Sequence, residues 1–320
     1  MGVTANTNET YDVSTIKEDL QDALISISPT DTPVMSAIGR RNVDNTYFEW
    51  GVVSLAAASN ANRVIEGESA PGNDAPTNAV RQGNYTQISD KVVEVSDTAN
   101  AVNGAGDAQT TAKQIAYKLK ELKRDMETML CDNVAGSAGA SGTARASAGL
   151  PAFLRTNASR GTGGADGTTS GSGVSGYVDA AATDGTTRAI TETLLKGVIA
   201  DCWTQGAEPS VVICGPSQKQ TISAFTGNAT RFKEAEDSKL NAAIDVYISD
   251  FGELQIVPSR FSRARDVLVL DPNYARVAYL KPTSQKPLAR TGHAERRLIS
   301  VEFGLQVDNE AAHGVIADVS

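Results

Sequence analysis

Two strand-forming runs with a long polar insert between them constrain this chain more than any other feature. TYFEWGVVSL (46–55) and NYTQISDKVVEVSD (84–97) are rich in aromatic and β-branched residues, which favour strands. Residues 56–83 between them are polar and rich in Ala, Asn and Gly. The pattern predicts a long hairpin whose tip cannot bury itself. A lone two-stranded ribbon is marginal in water, so this one needs a surface to lie on.

A second segment makes the same demand. In ISPTDTPVMSAIGR (27–40), Thr32 fits a helix N-cap, Pro33 the first helical position, and Gly39 a left-handed C-terminal cap. Pro29 ends a preceding helix expected over 15–27, where Ile16, Leu20, Leu24 and Ile27 recur at helical spacing. The short helix carrying Val34, Met35 and Ile38 is not stable alone. It packs either on its own domain or, as an arm, on another subunit.

Composition limits the partners. The formal charge of −9 and pI near 4.9 do not suit a chain that binds nucleic acid through a basic surface. Leu, Ile, Val and Phe supply about a fifth of the residues, near the low edge for a folded globule. The three cysteines, Cys131, Cys202 and Cys214, form no CxxC pair and read as buried free thiols. MGVTANTNET lacks the features of a signal peptide, and no apolar run reaches a membrane span.

Further along, Ile115, Leu119, Leu122, Met126 and Met129 predict a long helix over 107–133. Residues 136–187 hold twelve glycines among Ala, Ser, Thr and Asp, with only GLPAFLRTN (149–157) apolar enough to anchor them. A loop this long is unusual in a compact domain, and it is expected to be exposed and to contact a neighbour or a decoration protein. Beyond it a helix over 191–204, the strand SVVIC (210–214), a helix opened by GPSQKQTISAF, two strands in DVYISDFGELQIVPS, and the strands DVLVLDP, ARVAYL and RLISVEFGLQV alternate irregularly. That places the chain in the α+β class.

Catalytic and cofactor motifs are sparse. GSGVSG (171–176) matches GxGxxG but lacks the strand and helix that a dinucleotide site requires. Glu310 and His313 form one ExxH without the second that a di-iron bundle needs. No cofactor, metal or catalytic residue is assigned. The basic clusters RFSRAR (260–265) and AERRL (294–298) read as intersubunit salt-bridge partners through Arg260, Arg263, Arg296 and Arg297. An enzyme on an unrecognised α+β fold, which would show a defined pocket, and a surface adhesin or fibre protein, which would carry a signal sequence or repeats, are the alternatives.

The chain resembles the Hong Kong 97-type major capsid proteins of tailed bacteriophages over nearly its whole length. The resemblance is carried by ISPTDTPVMSAIGR, TYFEWGVVSLAAASNANRVIEGE, GNYTQISDKVVEVSDTANAV, KLKELKRDMETMLCDN, GLPAFLRTN, DFGELQIVPSRF, VLVLDPNYARVAYLKP and HAERRLISVEFGLQVDNEAAHG, in that order. It implies an N-terminal arm (1–42), an extended loop (43–98), a peripheral domain with a spine helix and the Gly-rich loop (99–187), an axial domain (188–285) and returning C-terminal strands (286–320). It implies hexamers and pentamers that enclose double-stranded DNA without reading its sequence, with portal, scaffolding and decoration proteins as further partners and no membrane. The site is then a virion capsid assembled in the host cytoplasm. Pro29, Pro33, Val34, Met35 and Ile38 of the arm, and Trp50, Arg63, Glu66, Glu68 and Arg81 of the loop, are expected to touch neighbouring subunits. Some members of the fold crosslink through a lysine in the extended loop. Residues 42–90 contain no lysine, so a shell held by non-covalent contacts is expected. The short stretch before the loop leads us to expect a separate scaffolding protein or none, and no large N-terminal cleavage.

Overall fold

A computed structural model describes residues 30–67, 69, 75–102, 110–171, 175–225 and 246–320. The expected 15–27 helix, Pro29 and Glu68 lie outside them. In chain order the elements are α1 (Pro33–Ala37), β1 (Gly39–Asn42), β2 (Tyr47–Val52), β3 (Val80–Tyr85), β4 (Gln87–Ser96), α2 (Asp97–Ala101), α3 (Thr111–Cys131), α4 (Leu150–Phe153), β5 (Ala158–Ser159), β6 (Thr168–Thr169) and β7 (Val178–Ala180). They continue with α5 (Glu192–Thr204), β8 (Val211–Cys214), α6 (Pro216–Ser223), β9 (Val246–Ser249), β10 (Gly252–Pro258), β11 (Val267–Leu270), β12 (Ala275–Pro287), β13 (Ala294–Val307) and β14 (Gly314–Ile316).

Two sheets organise these elements. One has the order β1-β12-β13-β4, the other β5-β14-β11-β8-β10-β9. β13 pairs antiparallel with β12 on one side and with β4 on the other. The long helix α3 lies across this sheet, and Val93 and Val95 are buried with its Leu122 and Met126. In the six-stranded sheet VVIC and VLVL are buried along their full length, as strands covered on both faces must be. Side chains alternate between the faces. Val211, Ile213, Leu268 and Leu270 join the core under α3. Val212, Cys214, Val267 and Val269 join a second core under α5 and α6.

Two expected placements move. The run 84–97 is not the second strand of the hairpin. β2 pairs with β3, Tyr47 opposite Tyr85 and Val52 opposite Val80, and the chain bends at Thr86 so that β4 can pair with β13. Gly39 does not cap α1. Ile38 takes that place in extended conformation, and Gly39 opens β1.

The Gly-rich tract is folded onto the body. Leu150, Ala152, Phe153 and Leu154 are buried, and β5 adds to the edge of the six-stranded sheet by pairing with β14. Within GSGVSG, Gly171 N–H bonds the Ser175 carbonyl and closes the β6–β7 hairpin. Gly149 lies against the end of α3. A Cβ there would overlap the Asp132 carbonyl oxygen and stand 2.9 Å from that of Met129. Neither backbone group can swing aside, so Gly149→Ala is expected to destabilise the chain by about 1–3 kcal/mol. A lower urea midpoint checks this; an unchanged midpoint contradicts the close packing.

Candidate functional site

The arm segment is docked, but on its own chain. Val34 is fully buried, and Met35 and Ile38 nearly so, all in the core that includes Leu122, Met126 and Leu130 of α3. The side chains of Val34, Met35 and Ile38 are therefore not available to a neighbouring subunit, which corrects that expectation. A helix this short survives because tertiary contacts hold it.

Its N-terminus is held by a group the sequence reading missed. Thr32 makes no side-chain cap. Instead the Val34 N–H donates to Glu127 Oε1 at 2.7 Å and the Met35 N–H to Glu127 Oε2 at 2.9 Å. Pro33 has no N–H to satisfy, so one carboxylate takes both free donors that follow it. Glu127 is fully buried on α3. Burial pushes its carboxyl above the usual carboxylate range, against the lowering effect of the two N–H donors. The signal was present in the sequence: a carboxylate sits between Met126 and Leu130 on the apolar face of the helix.

The ribbon β2–β3 has a buried root and an exposed tip. Phe48, Trp50 and Val52 alternate inward. The Trp50 ring lies 5.8 Å from Phe48 and 6.3 Å from Phe153, so Trp50 is spent on its own core and not on a neighbour. Asn84 is buried and donates from Nδ2 to the Leu305 carbonyl at 2.7 Å and to Ser147 Oγ at 3.0 Å. Past Val52 the burial ends. Val53, Leu55, Val64 and Ile65 are exposed, Leu55 at 83 % and Ile65 at 75 %. Arg63 and Glu66 are exposed beside them. Arg81 is exposed and pairs with Glu49 at 3.1 Å.

The expected basic contacts divide. Arg263 is largely buried among Asp184 at 2.6 Å, Asp266 at 2.7 Å and Asp132 at 3.8 Å. Arg296 pairs with Glu94 at 3.1 Å and Arg297 with Glu295 at 2.6 Å. These three arginines pair within their own chain, and the side chains of Arg296 and Arg297 stay 33% and 31% exposed. Arg260 is exposed, 3.9 Å from Asp31, and Pro33 is half-buried. Among the expected contact groups, Arg63, Glu66, Arg81 and Arg260 are exposed, and the apolar residues at the ribbon tip, which were not among those expected, are exposed as well.

The groups with catalytic potential are committed elsewhere. Buried His313 accepts at Nδ1 from the Asp271 N–H at 3.2 Å and faces the Tyr274 carbonyl at Nε2, 3.3 Å away. Burial lowers its pKa, so the ring is neutral with the proton on Nε2. Glu310 accepts from the Arg155 and Thr156 N–H groups, both at 3.1 Å. Burial pushes the Cys202 thiol up to about 12 and Cys214 to about 11, well away from nucleophilic thiolates. Among the described residues no group of His, Cys, Asp and Glu is arranged to hold a metal ion.

Comparison with known proteins fits this geometry. The model of the family described as SU10 major capsid protein matches residues 3–320. The major capsid protein of Escherichia phage Phieco32 is 38% identical over 121 residues, which are 38% of this chain and 34% of that one. The match thus spans about a third of that curated relative. Among solved structures, the capsid asymmetric unit of cyanophage A-1(L) superposes with a TM-score of 0.67 at 13% identity, over 97% of this chain and 98% of that one. The capsid of cyanophage P-SCSP1u gives 0.64 at 11% identity, over 100% and 97%. At such identities the likeness establishes the fold, the α+β Hong Kong 97-type architecture.

The Glu127 contact has a pH signature. Burial opposes ionisation, so the folded chain holds this proton more tightly than the unfolded chain. The stability given by the protonated form is full below the usual carboxylate range and is lost as pH rises through the raised folded value. Glutamine has no such dependence. The melting temperature of the parent minus that of Glu127→Gln should therefore fall as pH rises from the ordinary glutamate range, about 4, through the raised folded value. A difference that stays flat would remove Glu127 as the source.

Proposed function

Because the chain belongs to the SU10 major capsid protein family, we propose that it is the shell-forming subunit of a phage capsid and that the ribbon tip is its main reach onto a neighbouring copy. One observation carries the second part. The ribbon has a root fixed in the core and a tip that leaves Leu55, Val64 and Ile65 in water. Large apolar residues left exposed in one segment suit a contact surface, and a two-stranded ribbon is marginal without support. In a closed shell every copy supplies a tip and receives one.

Hexamers and pentamers are the assemblies this subunit builds, in a virion that encloses double-stranded DNA without sequence-specific contacts. Arg63 and Glu66 flank Val64 and Ile65 in sequence as exposed polar groups, and Arg81 and Arg260 are further exposed charges; such groups set register more than affinity. The shell is held non-covalently, supported by the absence of lysine from residues 42–90. Electron microscopy with light scattering tests the class: closed shells, or rings of five or six, support it. A chain that stays a monomer with its own phage's assembly partners overturns it. On a denaturing gel the shell should dissolve to a single band near 33.5 kDa; a ladder would contradict non-covalent closure.

The tip is testable separately. Leu55→Asp combined with Ile65→Asp removes no buried contact, so the melting temperature should stay within about 2 °C of the parent. Assembly should be lost, because two charges would have to be buried in the contact. Shells at parent yield would show that the tip does not dock.

A further inference from the structure

We infer that the Gly-rich legs 161–171 and 175–186 form a strut: they tie the ribbon root to the six-stranded sheet and set the direction in which the ribbon runs. It works within one chain and does not rest on the shell-forming role. Its base is pinned at Asp318, a buried residue with φ of 60°. The Asp318 carboxylate accepts from the Gly161 N–H at 3.0 Å, the Gly185 N–H at 2.9 Å and Arg265 Nη2 at 2.6 Å. The Arg188 N–H donates to the Asp318 carbonyl at 2.7 Å. Both legs of the hairpin are thereby fastened beside β14.

The legs are then held together and passed across the body. Ala165 and Thr183 exchange backbone hydrogen bonds at 3.1 and 2.8 Å. Asn133, just past the end of α3, grips one leg twice, donating to the Ala182 carbonyl at 2.6 Å and accepting the Ala182 N–H at 3.0 Å. Gly167 passes so close to α4 that a Cβ would stand 2.9 Å from the Ala152 carbonyl oxygen. Val178 drops into the core under α3, and its carbonyl accepts the Gly136 N–H at 2.8 Å.

The far end meets the ribbon. The Gly176 N–H donates to the Arg81 carbonyl at 2.8 Å, and the Gly83 N–H donates to the Gly176 carbonyl at 2.9 Å. The strut end thus makes a single parallel bridge to β3, Gly176 opposite Gln82. Tyr177 closes the contact, with its ring 5.0 Å from Tyr85 and 6.2 Å from Tyr47. Gly176 takes φ of +80°, a conformation a side chain strains against. A ribbon braced at its root and exposed at its tip points one way before it meets a neighbour, which lowers the ordering cost of docking.

Hydrogen exchange on the full chain tests the strut from both ends. Gly176→Val breaks the tip contact and Asp318→Asn loosens the base. Each should speed exchange of the amides at 81–85 roughly tenfold and leave those of β8 and β11 at parent rates. Should Asp318→Asn also loosen β8 and β11, the milder Arg265→Gln answers the same question. Parent-level protection at 81–85 with the tip contact broken, or with the base loosened while β8 and β11 hold, overturns the inference.

Discussion

Strand β13 is the constraint on which the rest of the molecule hangs. It pairs along one edge with β12 and along the other with β4, so its register fixes both. Its inner residues Ile299, Val301, Phe303 and Leu305 are buried in the core that α3 and α1 complete. Its backbone at Leu305 accepts Asn84 and donates to Ser147 Oγ, which fastens the ribbon root and the start of the Gly-rich tract at one point. A one-residue slip in a strand turns every side chain to the other face. Such a slip in β13 would at once misplace the α3 core and the ribbon.

Around that strand, buried carboxylates do work that a richer supply of large aliphatic side chains does elsewhere. Glu127 joins α3 to the arm. Glu302, nearly buried, joins β13 to Arg145 at 2.5 Å and to the Thr86 hydroxyl at 3.1 Å. Glu310 joins the C-terminal region to Arg155 and Thr156, and Asp318 gathers the base of the Gly-rich hairpin. A buried charge is costly unless it is hydrogen-bonded, and each of these is answered by backbone N–H groups or a guanidinium. Removing one partner leaves the other unsatisfied, so these contacts are more specific than strong. They tie segments far apart in sequence that have few apolar residues of their own to bury.

The sequence made the periodic elements readable and left the polar ties hidden. Ile115, Leu119, Leu122 and Met126 announce α3 because a helix that buries one face must repeat near every fourth residue. VVIC and VLVL announce strands because both faces are covered. The second hairpin strand was misplaced because Tyr85 and Val93 belong to one continuous strand-like run; the bend at Thr86 depends on pairing with β13, which no local pattern encodes. The Gly-rich tract read as a free loop because its order comes from backbone contacts at Gly149, Gly167 and Gly176, where the lack of a side chain permits close approach. For the same reason Val34 and Arg263 look alike in sequence whether their partners lie in the same chain or another. Of the candidate contacts, those in exposed polar stretches, Arg63, Glu66 and Arg81, were legible as surface. Trp50 was not, since an aromatic residue in a ribbon suits a core and an interface equally.

The division of labour along the ribbon follows from these limits. Apolar residues at its root are buried with Phe153 and give the chain a fold it can reach alone. Apolar residues at its tip, Leu55, Val64 and Ile65, stay largely exposed among the described residues. Covering Leu55 and Ile65 in an association would recover burial that the described residues leave unmet. Fixing the root first makes that association selective: a floppy ribbon could satisfy its tip on any exposed apolar patch, whereas a braced one reaches only a surface at the right distance and angle. Rigidity at one end and unmet burial at the other are what a repeating shell needs from each copy.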